Sequence, residues 1–339
     1  MNWFLLIFIT IFIIYCSNYY YSRELFLDKY YDSNTTIIDA IKNLGYKVKT
    51  KDDGLEIIGE DKVVRLYTPA RSNKLISGLN SEDSKRLCRN KYETNKVLGS
   101  YGFPVPEYQI VKLGKLNKIS LIDYPCVLKP IQGSGGRDVY SSINNDSDLW
   151  KAIDKLNLKY REVLNESFTP GNDYRILVYG EEILSIVERK CPYVVGNGKD
   201  SILELVEKNN RLHVYNTKID EGLLKKKGLT RESILPIGES ILVSNTCNFQ
   251  NGGVPIKIKK SRVHPDNLEI FSKINGLLGT SIIGIDFKID TLANSYRHSR
   301  GTIIEINSSP SLRVHFHASG KKNYRLVEKI VGKILSSII

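Results

Sequence analysis

Two Ile-rich stretches near the end of the chain decide the fold: Ile282-Ile-Gly-Ile-Asp-Phe287 and Thr302-Ile-Ile-Glu-Ile-Asn-Ser-Ser-Pro310. Both predict strands, and the polar stretch between them predicts the joining loop. Residues two apart on a strand point the same way, so Glu305 and Asn307 share one face. If the two strands pair, Asp286 reaches the same place. Two carboxylates and an amide on a rigid sheet suit Mg²⁺; the alternative is the wet face of an amphipathic hairpin.

A second strand signal, Val127-Leu-Lys-Pro130, runs into the glycine-rich turn Gln132-Gly-Ser-Gly-Gly-Arg137. Glycines let backbone N–H groups converge on phosphate oxygens, and a lysine held by a strand, Lys129, adds a fixed positive charge. The turn matches neither a P-loop nor a GxGxxG motif that opens a long helix. Taken alone, it is better explained as a flexible surface turn.

These pieces occur in a fixed order with three others, and the ordered set is more specific than any member. The other segments are Asn90-Lys-Tyr-Glu-Thr-Asn-Lys-Val-Leu98, Tyr101-Gly-Phe-Pro-Val-Pro106 and Leu164-Asn-Glu-Ser-Phe-Thr-Pro-Gly-Asn-Asp-Tyr-Arg175. Together they resemble an ATP-grasp domain over about residues 85–335. The resemblance implies an α+β fold in which two α+β subdomains grip ATP.

Within that superfamily the chain is most similar to the ATP-grasp portion of cyanophycin synthetase and to glutathione-synthetase-like ligases. The segments that carry this narrower resemblance are Val195-Gly-Asn-Gly-Lys-Asp-Ser-Ile-Leu-Glu-Leu-Val206, Gly252-Gly253, Val263-His-Pro-Asp-Asn267 and Pro310-Ser-Leu-Arg-Val-His315. Cyanophycin synthetase also carries a second ligase domain with a P-loop, which this sequence lacks. We therefore expect that this chain is not a complete enzyme of that kind.

The resemblance implies a set of nucleotide-binding residues. In chain order they are Lys91, Lys129, Gly133, Ser134, Gly135, Gly136, Glu166 and Asp173. The two lysines match those that hold the ATP phosphates, and the glycine turn matches the flap that closes over them. Glu166 matches the hinge position near the adenine amine, and Asp173 matches the acid near the ribose.

The resemblance also implies metal ligands and catalytic residues. Asp286, Glu305 and Asn307 match the ligands of two Mg²⁺ ions, for which Mn²⁺ is an alternative, and Glu305 is expected to bridge both. Arg175 and Arg189 match arginines that face the phosphates or an acyl phosphate. The acid-substrate pocket of the relatives falls on Ser309, Ser311 and Arg313.

Two departures from the family pattern stand close to these residues. Asn90 replaces the usual aspartate before the first lysine, which we expect to be harmless because Lys91 carries the contact. The segment 308–311, Ser-Ser-Pro-Ser, replaces the commoner small-small-Pro-Gly, so the substrate pocket is expected to differ.

The implied activity is ATP- and Mg²⁺-dependent carboxylate–amine ligation through an acyl phosphate, with an amino acid or short peptide among the small-molecule acid and amine substrates. The residues do not assign a general base: His315 and His317 are candidates by position, and a structural histidine is the favoured interpretation.

Three other hypotheses stay open. They are an acyl-phosphate-forming enzyme without an amine acceptor, a membrane-anchored ATP-binding protein with a degenerate ATP-grasp fold and a regulatory role, and a basic nucleic-acid or lipid-surface protein.

Composition narrows the partners. The 339-residue chain has a net charge of +12, which favours anionic ligands. Its lysines are scattered rather than arranged on a basic helix with aromatics, so nucleic acid is not an expected partner. The five cysteines form no CxxC and are far apart, which predicts reduced thiols rather than a disulfide framework or a metal site. A homo-oligomer is left open.

The first residues differ in kind from the rest. Trp3–Tyr15 is almost wholly apolar, and aromatic residues follow at Tyr19–Tyr21. We expect an N-terminal membrane anchor in residues 1–22, with membrane contact through residues 3–21; a signal peptide and a buried core helix are the alternatives. Basic residues follow the segment, which places the body of the protein in the cytosol.

The predicted organisation is therefore residues 1–22 as anchor, 23–80 as a stalk and small α/β lead-in, and 81–339 as the ATP-grasp domain. Helical patterns are predicted over Thr36–Leu44, Ser81–Tyr101, Asp148–Leu158, Ser201–Asn209, Pro265–Leu278 and Asn323–Ile338. Strand patterns outside the two Ile-rich stretches are predicted over Tyr46–Thr50, Leu55–Gly59, Lys62–Tyr67, Tyr108–Lys112, Cys126–Pro130, Glu162–Phe168 and Tyr174–Tyr179.

Overall fold

The computed structural model describes residues 33–51, 54–58, 63–67, 78–115, 122–133, 135–213, 217–249, 252–320 and 323–338. The helices are α1 (Ser33–Asn43), α2 (Glu82–Arg89), α3 (Lys91–Ser100), α4 (Asp146–Asn157), α5 (Ile202–His213), α6 (Glu221–Lys225), α7 (Pro265–Leu278), α8 (Arg313–Phe316) and α9 (Tyr324–Ile338). The strands are β1 (Lys47–Lys51), β2 (Gly54–Ile58), β3 (Val63–Tyr67), β4 (Tyr108–Lys112), β5 (Cys126–Pro130), β6 (Tyr140–Ile143), β7 (Glu162–Ser167), β8 (Asn172–Tyr179), β9 (Glu182–Lys190), β10 (Tyr193–Val195), β11 (Ser240–Leu242), β12 (Val254–Ile258), β13 (Ile282–Ile289) and β14 (Thr302–Asn307).

The described chain divides into two compact units. The larger comprises Ala40–Lys190 and Pro255–Ile339, and it contains every residue of the predicted site. The smaller comprises Cys191–Val254 with the chain up to Asp39. The domain boundaries expected from the sequence stay a prediction, and residues 191–254 form a unit of their own within the segment 81–339.

A four-stranded antiparallel sheet, in the order β4-β7-β5-β6, forms one part of the larger unit. Its apolar face packs against α4, whose Leu149, Ile153 and Leu156 are buried. The strands contribute buried Leu128 and Val163 to the same core. This sheet presents Lys129 and Glu166 from its two central strands.

A five-stranded sheet, in the order β12-β9-β8-β13-β14, forms the other part. The alternate residues Ile283, Ile285, Phe287 and Ile289 of β13 belong to a core that includes α7, where the rings of Phe271 and Phe287 lie 5.0 Å apart at 81°. Because side chains alternate along a strand, the intervening residues face away from this core. One face of the sheet is therefore apolar, and the other carries the charged residues described below.

The smaller unit has its own core around β10 and β11, which pair antiparallel, and α5. Cys191 and Cys247 are joined as a disulfide in this unit. The prediction of reduced thiols throughout is wrong for this pair, because a separation of 56 residues gives no local sequence signal. Cys88 and Cys126 are buried and unbridged, and burial raises the pKa of the Cys88 thiol to about 12.

Several elements differ from the sequence expectation. The single helix predicted over Ser81–Tyr101 is broken at Asn90, whose backbone is extended at φ −94° and ψ 101°. Strands β6, β9, β10, β11 and β12 and the short helices α6 and α8 were not predicted. In β9 the buried polar residues Ser185 and Arg189 interrupt the apolar pattern, and β12 contains a proline that its edge position tolerates.

The expected membrane location is contradicted. No helix in the described part of the chain is long and apolar enough to cross a bilayer. Residues 1–22, on which the expectation of an anchor rested, lie outside the described residues.

Candidate functional site

Asn90 fixes the position of Lys91. The Asn90 side chain accepts a hydrogen bond of 3.1 Å from the Glu93 N–H and caps α3, so that Lys91 is the first residue of the helix. The Lys91 N–H donates to the Ile131 carbonyl at 3.0 Å, which ties the start of α3 to the glycine turn. From there Lys91 Nζ donates to the Gly133 carbonyl at 2.9 Å and lies 3.2 Å from Glu305 Oε1.

Replacing Asn90 with alanine is expected to cost about 1 kcal/mol of stability, the usual value of an N-cap, and to weaken ATP binding because Lys91 loses its fixed origin. Asn145→Ala is the matched control, since Asn145 caps α4 in the same way through the Asp148 N–H at 3.0 Å. Unfolding midpoints and ATP affinity measure the two effects. Equal ATP affinity in both variants would contradict a positioning role for Asn90.

Lys129 and Glu166 form a buried ion pair between β5 and β7. Lys129 Nζ lies 2.5 Å from Glu166 Oε2, and the two side chains are only 5% and 3% exposed. Asn95 of α3 donates to the other carboxylate oxygen of Glu166 at 2.9 Å. Lys129 Nζ also lies 3.5 Å from the Ile304 carbonyl, beside Glu305, so this lysine reaches from the four-stranded sheet to β14.

Two arginines and two aspartates form a network on the polar face of the five-stranded sheet. Arg175 Nε lies 2.6 Å from Asp286 Oδ1, and Arg175 Nη2 donates to Asp286 Oδ2 at 3.3 Å. Arg189 Nη2 lies 2.6 Å from Asp173 Oδ1 and 3.3 Å from Asp286 Oδ2. Asp286 of β13 therefore contacts the arginines of both β8 and β9.

Burial shapes the protonation of this network. It lowers the pKa of Arg175, although Asp286 offsets part of the effect. Burial also acts to lower the pKa of Arg189, but the charges of Asp286 and Asp173 outweigh it and raise that pKa. Both guanidinium groups stay charged at neutral pH.

His315 is a neutral ring beside these arginines. Burial, together with the charges of Arg175 and Arg189, lowers its pKa to about 3. Its Nδ1 lies 3.0 Å from Ser185 Oγ of β9. A base with so low a pKa is poorly matched to neutral pH, which favours the structural interpretation of this histidine.

The three predicted metal ligands lie together. Asp286 of β13 is the direct cross-strand partner of Glu305 of β14. Asn307, two residues after Glu305, pairs with Gly284, two residues before Asp286. No group of three or more His, Cys, Asp or Glu side chains that could hold a metal ion occurs in the described part of the chain, and the predicted set consists of two carboxylates and one amide. Asn307 Nδ2 is buried and has no hydrogen-bond partner among the described residues. Because the Nδ2 group is a donor, Asn307 would hold a cation through its amide oxygen, which is a ligand type that suits Mg²⁺.

Gly284 leaves the space that Arg175 fills. A Cβ at this position would lie 2.7 Å from Arg175 Nη1 and 3.0 Å from the Pro310 Cβ. Gly284→Ala is therefore expected to displace the Arg175 guanidinium from Asp286 and to lower turnover by about tenfold or more, the size of one lost charge-assisted contact.

Gly276→Ala is the matched control, because this glycine of α7 has open space around its Cβ position. It is expected to leave turnover unchanged and to raise stability by roughly 0.5–1 kcal/mol. A Gly284→Ala protein with normal turnover would show that the position of Arg175 is unimportant.

The remaining predicted residues belong to the glycine turn and to α8. Gly133, Gly135 and Gly136 have φ values of +152°, +72° and +71°, so the turn uses backbone conformations that favour glycine. Ser134 lies outside the described residues. Arg313 begins α8, two residues before His315.

Three residues that contact this arrangement were not predicted from the sequence: Asn95, Ser185 and Lys288. Lys288 of β13 is the cross-strand partner of Asp173 of β8. Its Nζ lies 3.5 Å from the Thr169 carbonyl and 5.5 Å from the centre of the Phe168 ring. It thus holds the connection between β7 and β8. The burial of Asn95 and Ser185 can be seen only in the fold. The role of Lys288 could have been predicted, because residues two apart on a strand share a face and Lys288 follows Asp286 by two.

Comparison with known proteins bears on this geometry. Cyanophycin synthetase of Geminocystis herdmanii is 29% identical over 248 residues, which cover 68% of this chain and 28% of that protein. The glutathione biosynthesis bifunctional protein of Clostridium perfringens is 26% identical over 321 residues, covering 88% of this chain and 40% of that protein. The crystal structure of a bifunctional glutathione synthetase from Pasteurella multocida superposes with a TM-score of 0.64 at 22% identity, covering 91% of this chain and 44% of that one.

These are the two groups that the sequence resemblance indicated, and the fold matches over nearly the whole chain. The resemblance to the ATP-grasp superfamily is confirmed. The predicted α+β ATP-grasp fold is confirmed. No protein-family model matches the sequence. The chain spans less than half the length of each of these relatives.

Proposed function

We propose that the protein is an ATP- and Mg²⁺-dependent carboxylate–amine ligase that acts on an amino acid or short peptide. The main support is that buried charged side chains converge on one face of the five-stranded sheet. There Lys91 pairs with Glu305, and both Arg175 and Arg189 pair with Asp286. The superfamily relatives are named as synthetases, which supports the same reaction class.

The cost of burying these charges supports a functional site. A buried ion pair is a weak source of stability, because desolvation offsets most of the Coulombic gain. The larger unit nevertheless buries Lys129, Glu166, Arg189 and Asp286. Charged groups that are buried at such a cost are typical of active sites.

The nucleotide would lie between Lys129 and Lys91, with Glu166 toward the base. Lys91 and Lys129 are both held at their backbone ends by regular structure, so their ammonium groups would meet the phosphates with little reorganisation. The Gly133 carbonyl accepts a hydrogen bond from Lys91, which holds the glycine turn near the place proposed for the phosphates. The turn would close over the phosphates and exclude water.

Asp286, Glu305 and Asn307 would hold Mg²⁺, and their oxygen atoms are the ligand type that this ion prefers. A bound Mg²⁺ would neutralise the charge of the transferring phosphoryl group.

The proposed reaction has two steps. A carboxylate oxygen of the acid attacks the γ-phosphorus, the bond between the β- and γ-phosphates breaks, and ADP leaves with the electron pair. An amine nitrogen then attacks the acyl carbon, the C–O bond to phosphate breaks, and the amine proton passes to a base. Arg175 would face the developing charge, because Gly284 leaves room for its guanidinium beside β13.

The test uses the full-length chain with ATP, Mg²⁺ and pools of amino acids and dipeptides, and it measures ADP and phosphate release. The proposal expects release that requires both a carboxylate and an amine, with an amide product of matching mass. An acid labelled with ¹⁸O should transfer one label to the released phosphate, which is the signature of an acyl phosphate. Release with a carboxylate alone would indicate an acyl-phosphate-forming enzyme, and binding without turnover would indicate a regulatory ATP-binding protein.

A further inference from the structure

Asn80 lies outside every motif of the sequence, yet its side chain bonds to both strands that carry the proposed metal ligands. It is 4% exposed and precedes α2. Its Nδ2 donates to the Ile282 carbonyl at 2.7 Å and to the Ser308 carbonyl at 2.8 Å. Its Oδ1 accepts from the Ser281 N–H at 2.7 Å and the Ile282 N–H at 3.2 Å.

These bonds fall where the pairing of β13 with β14 has ended. The last cross-strand pair is Gly284 with Asn307, and Ser308 is the first residue beyond it. The Asn80 amide donates to both the Ile282 and the Ser308 carbonyls. It thereby links β13 to the segment that follows β14, just beyond the last cross-strand pair. Only an amide supplies two N–H donors and an acceptor in so small a side chain.

The bond to the Ser308 carbonyl fixes the peptide between Ser308 and Ser309, one residue beyond Asn307. That peptide sets the direction in which the chain leaves the sheet, and Pro310 then lies beside Gly284. Asn307 Nδ2 makes no hydrogen bond among the described residues, so no bond from that atom fixes the orientation of the side chain.

We propose that Asn80 is a positioning residue for the metal site, acting through the Ser308 peptide on Asn307. This inference rests on the proposed function, because it assumes that Asn307 holds a divalent cation. Groups that orient metal ligands commonly change metal affinity by 10- to 100-fold when they are removed.

A matched control is available in Asn267 of α7. Its amide is fully buried and makes the same kind of bridge, donating to the Leu292 and Asn294 carbonyls and accepting from the Tyr296 N–H. That bridge holds the loop after β13 and touches none of the proposed ligands. Asn80→Ala and Asn267→Ala therefore remove equivalent structural clamps from different places.

The experiment titrates Mn²⁺ into full-length wild type, Asn80→Ala and Asn267→Ala in the presence of ADP, and follows bound Mn²⁺ by electron paramagnetic resonance. Thermal midpoints are measured alongside. We expect comparable midpoint shifts in both variants, with Mn²⁺ affinity reduced about 10- to 100-fold in Asn80→Ala alone. ADP affinity without metal should be the same in all three proteins.

Asn80→Asp serves if the alanine variant does not fold, because it keeps the acceptor for Ser281 and Ile282. An added negative charge would strengthen cation binding by simple attraction, so weaker Mn²⁺ binding in this variant supports positioning. Wild-type Mn²⁺ affinity in a folded Asn80 variant, or equal loss in Asn267→Ala, overturns the inference. A wild type that binds no Mn²⁺ overturns the proposed metal site itself.

Discussion

Lys129→Met is expected to lower the free energy of unfolding by about 3–5 kcal/mol and to abolish useful ATP affinity. The loss of stability arises because Glu166, which is 3% exposed, is left as a buried carboxylate without its cation. The loss of affinity arises because truncating a buried, hydrogen-bonded charge costs about 2–5 kcal/mol of binding, or on the order of 30-fold to several thousand-fold in Kd. Denaturant unfolding and calorimetric ATP titration measure the two quantities.

The double variant Lys129→Met/Glu166→Gln separates these effects. With no charge left to bury, it is expected to recover most of the lost stability, since Asn95 can still donate to the glutamine oxygen. ATP affinity should stay lost, because the phosphate-facing cation is still missing. Recovery of ATP binding together with stability would mean that Lys129 is only a structural partner of Glu166.

Glu305→Gln is expected to reduce turnover by on the order of 10²–10³-fold, the effect of removing one preorganised charge-stabilising group. The substitution keeps the shape of the side chain but removes the charge that faces Lys91 at 3.2 Å. ATP affinity measured without Mg²⁺ should be unchanged or higher, because Lys91 then has no competing carboxylate. Initial rates and metal-free binding check both parts.

Glu182→Gln is the control for this prediction. Glu182 of β9 is likewise an ion-paired glutamate, bound to Lys329 and Lys333 of α9 at 2.5 and 2.7 Å. It has no contact with the network of Asp286 and Glu305 in the described residues. Full activity is expected in Glu182→Gln, and a similar loss in both variants would point to general destabilisation.

The sequence predicted the strand elements of the site well because their signal is local. Alternation in Ile282–Ile289 and Thr302–Asn307 indicates two strands, and the pairing of Asp286 with Glu305 follows if they are neighbours. The order of motifs identified the fold through resemblance to ATP-grasp relatives. The roles of individual residues stay predictions that the variants above would test.

Other features could not be read from the sequence because they depend on long-range contacts. Asn90 looks like an interior residue of a continuous helix until its contact partners are known, and the β9 residues Ser185 and Arg189 look like interruptions of a strand. Asn80 bonds to residues more than 200 positions away, and no local pattern marks such an amide.

The most direct test of the account is calorimetric titration of ATP into the full-length chain, with and without Mg²⁺, for wild type and for Glu305→Gln. We expect wild type to bind ATP under both conditions and more tightly with Mg²⁺. Glu305→Gln should lose the gain in ATP affinity that Mg²⁺ gives and keep the affinity measured without metal. Absence of ATP binding to wild type, or an equal Mg²⁺ gain in both proteins, would contradict it.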